Sequence, residues 1–268
     1  MGIYRNKIVI IVGAGAVENA WIPILNAIKV VTSQDVDIDG ANCFFARSIY
    51  LQRFYAKIPV PDAKSYLKIS LENMIIIKDA ICEEIKNAQK TGILKPRKEF
   101  RSILRKFVFN GSKNSVGIIS TNWDTIIDDD INEFMKQIYD HNQTLKCFHI
   151  HGSIEFPDHL YLPSETTQEN YRSDDENKEF GLNHFKTMQF LEQANQVLIY
   201  GLSLDPLDAE LSQVLSIATL RNNNLREIII VNPDYEKIRN RVKALFFPYS
   251  NSNIKIRCFS PKNLEDEK

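Results

Sequence analysis

Apolar, β-branched residues gather in short runs at positions 8–12, 116–119, 145–150, 197–200, 227–231 and 254–258. Runs of this length with little polar alternation predict strands buried on both faces. Between them, segments 125–138, 207–220 and 235–246 carry apolar residues at helical spacing. The βαβα alternation predicts an α/β fold: a Rossmann-like, doubly wound, mostly parallel six-stranded sheet. Folds of this kind bind ligands in the crevice outside the carboxyl ends of the strands. The residues that follow each run are therefore the ones to read for chemistry.

The interval between the first two runs is far longer than one crossover helix requires. Residues 41–109 are helical in pattern, with apolar positions at Leu67, Ile69, Leu71, Met74, Ile75, Ile77, Ile81 and Ile85 and breaks at Pro59-Val60-Pro61 and at 92–96. The expected organisation is a Rossmann-like domain of residues 1–40 and 110–268, interrupted by a helical subdomain at 41–109. The polar stretch 163–178 is expected to form an exposed loop or lid.

Composition narrows the class. With 268 residues, 44% hydrophobic and 25% charged, the chain is long and apolar enough for a sizeable core. The 33 Lys and Arg balance 34 Asp and Glu to a net charge of -1, so no global field draws it to nucleic acid or an anionic membrane. The basic residues between Lys95 and Lys106 are most simply a solvated helix face. Four cysteines at 43, 82, 147 and 258 lack any Cys-x-x-Cys spacing, against a zinc ribbon and a disulfide framework. The first apolar run is too short for a signal peptide or a membrane span, and a cytoplasmic location is expected.

Polar groups cluster after the runs. The first is followed by Gly13-Ala14-Gly15-Ala16-Val17-Glu18, read as a tight turn into a helix whose amides hold a diphosphate. The third glycine of a dinucleotide fingerprint is absent, and a purely structural turn is an equal reading. Later runs lead into Ser120-Thr121-Asn122-Trp123-Asp124, His149-Ile150-His151-Gly152-Ser153, Gly201-Leu202-Ser203-Leu204-Asp205 and Asn232-Pro233-Asp234. Individually these are helix caps, a satisfied histidine and Asx turns; together they mark one sheet edge as a site. His149 and His151 alternate along a strand but have no third ligand at metal spacing. Asp128-Asp129-Asp130 reads as the solvated start of a helix.

In their order, Gly13-Ala14-Gly15, Ile22-Pro23, Asn122 with Asp124, His151-Gly152, Gly201 with Ser203, and Asn232 resemble the motifs of the sirtuin-like, NAD-consuming family. Deacetylating sirtuins carry a four-cysteine zinc module between the His-Gly and Gly-x-Ser motifs, whereas no cysteine lies between Cys147 and Cys258 here. The resemblance is thus to the zinc-free branch of bacterial antiphage defence, whose members hydrolyse NAD. Val17, Trp21 and Asn26 stand where the family usually has Ser, Gly and Arg.

The resemblance implies NAD as substrate, no zinc or other metal, and Asn122 and His151 as the catalytic pair. It places Gly13, Ala14, Gly15, Gly201 and Ser203 around phosphate and ribose, Asp124 toward nicotinamide and Asn232 at the adenosine ribose. It also implies a homo-oligomer, or control by a separately encoded partner such as an ATPase or a nucleic-acid-guided protein. A catalytically silent module that senses NAD or ADP-ribose is the alternative. An oxidoreductase using Asp35 or Asp37 as the ribose-binding acid fits poorly, because residues 29–32 read as the close of a helix rather than a strand end.

Overall fold

The computed structural model describes residues 6–109, 114–139, 145–246 and 254–264. In chain order the elements are β1 (Lys7–Val12), β2 (Val17–Glu18), α1 (Ile22–Thr32), α2 (Ile38–Lys57), α3 (Ala63–Lys90), β3 (Lys95–Pro96), α4 (Phe100–Phe107), β4 (Ser115–Ser120) and α5 (Ile126–Tyr139). There follow β5 (Phe148–His149), α6 (Asp174–Glu192), β6 (Gln196–Tyr200), α7 (Ala209–Arg221), β7 (Glu227–Val231), α8 (Tyr235–Phe246) and β8 (Lys255–Phe259). Six strands form one sheet in the order β5-β4-β1-β6-β7-β8, and every neighbouring pair is parallel. The fold is α/β and Rossmann-like, with the chain reversing its direction of winding between β1 and β6.

The continuous apolar strands are explained by burial on both faces. Ile8, Ile10 and Val12 of β1 point into one core with α2, α3 and α4, while Val9 and Ile11 point into the other with α6, α7 and α8. Phe45, Ile81 and Phe100, from the region expected to be an inserted subdomain, lie in the same cluster as the sheet. The proline break separates α2 from α3 as expected, and the break at 92–96 becomes β3, which pairs antiparallel with β2.

Four local expectations change. The Gly13 turn leads into a single 3-10 turn (Ala14–Ala16) and β2, and the helix begins only at Ile22. Glu18, at the end of the stretch expected to enter a helix, is accordingly a strand residue opposite Lys95. The third strand is reduced to Phe148–His149, because the chain turns at Ile150; residues 140–144 lie outside the described ones. The stretch 163–178 is no exposed lid: from Asp174 it is α6, and before it Glu165 and Glu169 are buried, with Arg53 Nε of α2 donating to Glu169 at 2.8 Å.

Asp35 and Asp37 stand between α1 and α2 rather than at the end of a strand, and Asp37 caps α2 by accepting from Gly40 N. No helix among the described residues is long and apolar enough to cross a membrane.

Candidate functional site

A cleft of about 630 Å³ opens at the carboxyl ends of the strands, across the point where the winding reverses. Ala14, Gly15, Asn122, Asp124, His151, Gly201, Ser203 and Asn232 all line it; Gly13 lies beneath. Eight of the nine residues singled out from the sequence thus converge on one cavity, brought there from five strand ends.

The glycines interlock the turns after β1 and β6. Gly13 N donates to Tyr200 O at 3.0 Å and Gly15 N to Gly201 O at 2.8 Å. Gly201 adopts φ +63°, and a Cβ there would lie 2.3 Å from Ala16 N; one on Gly15 would lie 2.8 Å from Gly201 O. Only glycine permits this approach. The same bonds occupy the amides that a phosphate would otherwise use, and Ala16 N and Val17 N also donate inside the turn.

Asn122 follows β4 and is buried, yet neither Oδ1 nor Nδ2 has a hydrogen-bond partner among the described residues. Its backbone is held firmly: Asn122 N donates to Ser120 Oγ at 3.1 Å, and His149 Nδ1 donates to its carbonyl at 2.8 Å. His149 Nε2 lies 3.0 Å from Asp128 Oδ2. With a carbonyl beside one nitrogen and a carboxylate beside the other, the surroundings favour the doubly protonated ring, in which both nitrogens donate. Burial opposes that charge, but Asp128 outweighs it and raises the His149 pKa. Asp128 is therefore a structural partner of His149, and Asp130 is buried against Arg101, with Nε to Oδ1 at 2.9 Å. Of the three aspartates only Asp129 is solvated as expected.

His151 lies beyond the end of β5 and does not share His149's surroundings. It is buried, stacked on Tyr161 with ring centroids 5.2 Å apart and planes 11° from parallel. Its Nε2 has no hydrogen-bond partner, and Oδ1 of Asp208 lies 3.5 Å away. Burial pulls the His151 pKa down, but the Asp208 carboxylate and the Thr121 backbone more than reverse it, so the ring is more basic than usual. Tyr161 is fixed in turn, its hydroxyl donating to the Glu210 carboxylate and lying 2.6 Å from Glu165 O.

Asp124 is buried and its Oδ1 accepts from Ile126 N at 3.1 Å, the helix-cap bond. Desolvation raises its pKa to about 6 despite that bond. Asn232 is an Asx turn, with Oδ1 accepting from Asp234 N at 2.8 Å and Nδ2 donating to Leu202 O at 3.2 Å. Ser203 is exposed at the mouth, with its carbonyl accepting from Arg241. Of the residues that depart from the family pattern, Trp21 lines the cleft, Val17 is buried away from it, and Asn26 faces Glu84 on the outside.

Sequence reading missed Arg97, Glu99, Tyr161, Tyr200 and Asp208, all of which line the cleft. Glu99 is buried and accepts from Tyr200 Oη at 3.1 Å. Asp208 stands eight residues after β6 at the start of α7, a position visible in the sequence once that strand end is taken as part of the site. Tyr200 closes the β6 run and was visible on the same ground, whereas Arg97, Glu99 and Tyr161 reach the cleft through tertiary pairing. Among the described residues no group of three or more His, Cys, Asp or Glu is arranged to hold a metal ion.

No protein-family model matches the chain, and neither a curated protein nor a solved structure matches it.

Proposed function

We propose that this protein is an NAD hydrolase that cleaves the bond between nicotinamide and ribose, releasing nicotinamide and ADP-ribose. The reading rests on one observation above others: Asn122 and His151 each present buried, unpartnered polar atoms to a cleft at the point where the winding reverses. A buried amide with neither atom satisfied is costly, on the order of 1–3 kcal/mol for each group, and a bound polar ligand would remove that cost. The order of motifs, which resembles the zinc-free NAD-hydrolysing branch of the sirtuin-like family, supplies the identity of that ligand.

In the proposed reaction, water adds to the ribose carbon as its bond to the nicotinamide nitrogen breaks. Nicotinamide leaves as a neutral molecule with the bonding pair, and the water's proton passes to His151. Asn122 orients the ribose or the water, and the Asp208 carboxylate sustains the basicity His151 needs. The biological role that goes with this chemistry is depletion of NAD as an antiphage defence effector in the cytoplasm, as a homo-oligomer or under a separately encoded partner.

The second reading is a silent module that binds NAD or ADP-ribose, favoured by the bulk of Trp21 in the cleft where the family has glycine. Incubation with NAD and chromatographic separation of nicotinamide, ADP-ribose and residual NAD distinguish the two. Asn122→Ala and His151→Ala should each abolish nicotinamide release; release that persists in both would overturn the assignment, and binding of NAD without turnover would favour the sensor.

A further inference from the structure

Most amides of the glycine turn at the floor of the cleft are already bonded within the protein. Gly13, Gly15, Ala16 and Val17 donate to Tyr200 O, Gly201 O, Gly13 O and Ala14 O, and the nearby Gly201 and Asn232 amides donate to Val231 O and Phe259 O. The first long helix begins only at Ile22. Few turn amides, Ala14 N among them, remain for a diphosphate in this cleft, and side chains supply further donors.

Arg97 is placed for that task. Its backbone N donates to Ala16 O at 3.0 Å as the chain leaves β3, which β2 holds against the glycine turn. Its Nε donates to Gly15 O at 2.8 Å, so the guanidinium lies across the turn itself and lines the cleft. The two terminal nitrogens make no hydrogen bond or ion pair among the described residues, leaving four N–H donors in a planar fork. The lining also carries Glu18, Asp39, Glu99, Asp205 and Asp208, with Lys98 and Lys262 as further cations, and of the three cations Arg97 is the one bonded to the glycine turn. A local cation on the glycine turn selects where the anionic centre of a ligand sits.

We infer that Arg97, contributed by the segment between β1 and β4, is the diphosphate-binding residue of the cleft, an inference that rests on the NAD reading proposed above. The ligand class is a nucleoside diphosphate or its sugar ester, gripped by a guanidinium fork rather than by the glycine turn's amides alone. A nucleoside without phosphate gains nothing from Arg97.

Calorimetric titration with ADP-ribose, ADP and adenosine tests it on the wild-type chain, Arg97→Gln and Arg97→Lys. Arg97→Gln should weaken ADP-ribose and ADP by about tenfold or more, with adenosine unchanged, and Arg97→Lys should recover part of the loss. Raising salt should weaken ADP-ribose binding to the wild type more steeply than to Arg97→Gln. Thermal melts of the ligand-free variants report whether loss of the bond to Gly15 O has disturbed the turn; Arg97→Lys loses that bond too and keeps the charge. Equal ADP-ribose affinity in wild type and Arg97→Gln overturns the inference, as does a Lys variant no better than Gln. Nicotinamide release that survives alongside either result leaves the hydrolase reading standing and removes only the role of Arg97. A wild-type chain that binds no phosphate-bearing ligand overturns both.

Discussion

Nε2 of His151 and Oδ1 of Asp208 stand 3.5 Å apart in the wall of the cleft, beyond a good hydrogen bond yet close enough for the carboxylate to hold up the imidazole's basicity. The segment that carries Asp208 also carries Glu210, whose carboxylate accepts from the Tyr161 hydroxyl, and Tyr161 forms the surface on which His151 stacks. The start of α7 thus sets both the charge and the orientation of one ring.

Asp208→Asn should lower the His151 pKa, because it removes the carboxylate charge that holds the buried ring's basicity up. A base acts in its neutral form, so nicotinamide release in the wild type should fall as pH drops through the raised His151 pKa, and in the variant that limb should move to lower pH. At neutral pH the variant's kcat should also fall, by about tenfold, as the ring loses its oriented partner. Titration of the His151 ring by NMR checks the shift without relying on turnover, and an unmoved titration would separate Asp208 from His151.

Asp124 carries a stability prediction of definite sign. Its pKa is raised to about 6 by desolvation, so native protein holds the proton where the unfolded chain has already released it. Stability linked to Asp124 is full below the ordinary aspartate range and is lost as pH rises through about 6. Asp124→Asn keeps an oxygen for the Ile126 N cap and removes the buried charge. The variant should melt higher than wild type at pH 7–8, with the difference vanishing near pH 3.5; a difference constant across that range would show that Asp124 does not titrate as its burial requires.

Much of this was legible in the sequence, for physical reasons that can be named. β1, β6 and β7 announce themselves because a strand buried on both faces has no polar alternation to blur it, and Asn122 and His151 could be found because parallel strands deliver their carboxyl ends to one edge. What could not be read depends on partners distant in sequence. Whether the Gly13 and Gly15 amides are free is decided by Tyr200 and Gly201. Asp128 and Asp130 look like a solvated helix start until His149 and Arg101 arrive, and Glu165 and Glu169 look like lid residues until α2 and α3 cover them.

The interlock after β1 and β6 should be intolerant of a single methyl group. Gly201→Ala places a Cβ 2.3 Å from Ala16 N on a residue at φ +63°, and should destabilise by about 2–4 kcal/mol. Gly181 is the internal control: it lies within α6 with nothing within 4 Å of a Cβ, so Gly181→Ala should stabilise by roughly 0.5–1 kcal/mol. Urea unfolding with an unchanged slope gives both values. Equal effects from the two substitutions would mean that the turns are not in contact.

His149 supports the site from below, and its removal should separate positioning from chemistry. The ring bridges Asn122 O and the Asp128 carboxylate, and the backbone that presents the Asn122 amide is fixed by that bridge. Because the His149 pKa is raised, its stabilisation is full below the ordinary histidine range and fades as pH rises through the folded value; because Asp128 is lowered, its share fades only as pH falls through its own depressed value. The bridge is therefore strongest between those limits. His149→Gln retains polar character but not the charge, and it should reduce melting temperature most at mildly acidic pH, with the gap to wild type narrowing as pH rises. Turnover should fall through kcat with little change in KM, since the side chain touches the Asn122 backbone rather than the cleft. The acid limb of the pH profile should stay where His151 sets it, and a shifted limb would instead place His149 in the proton transfer.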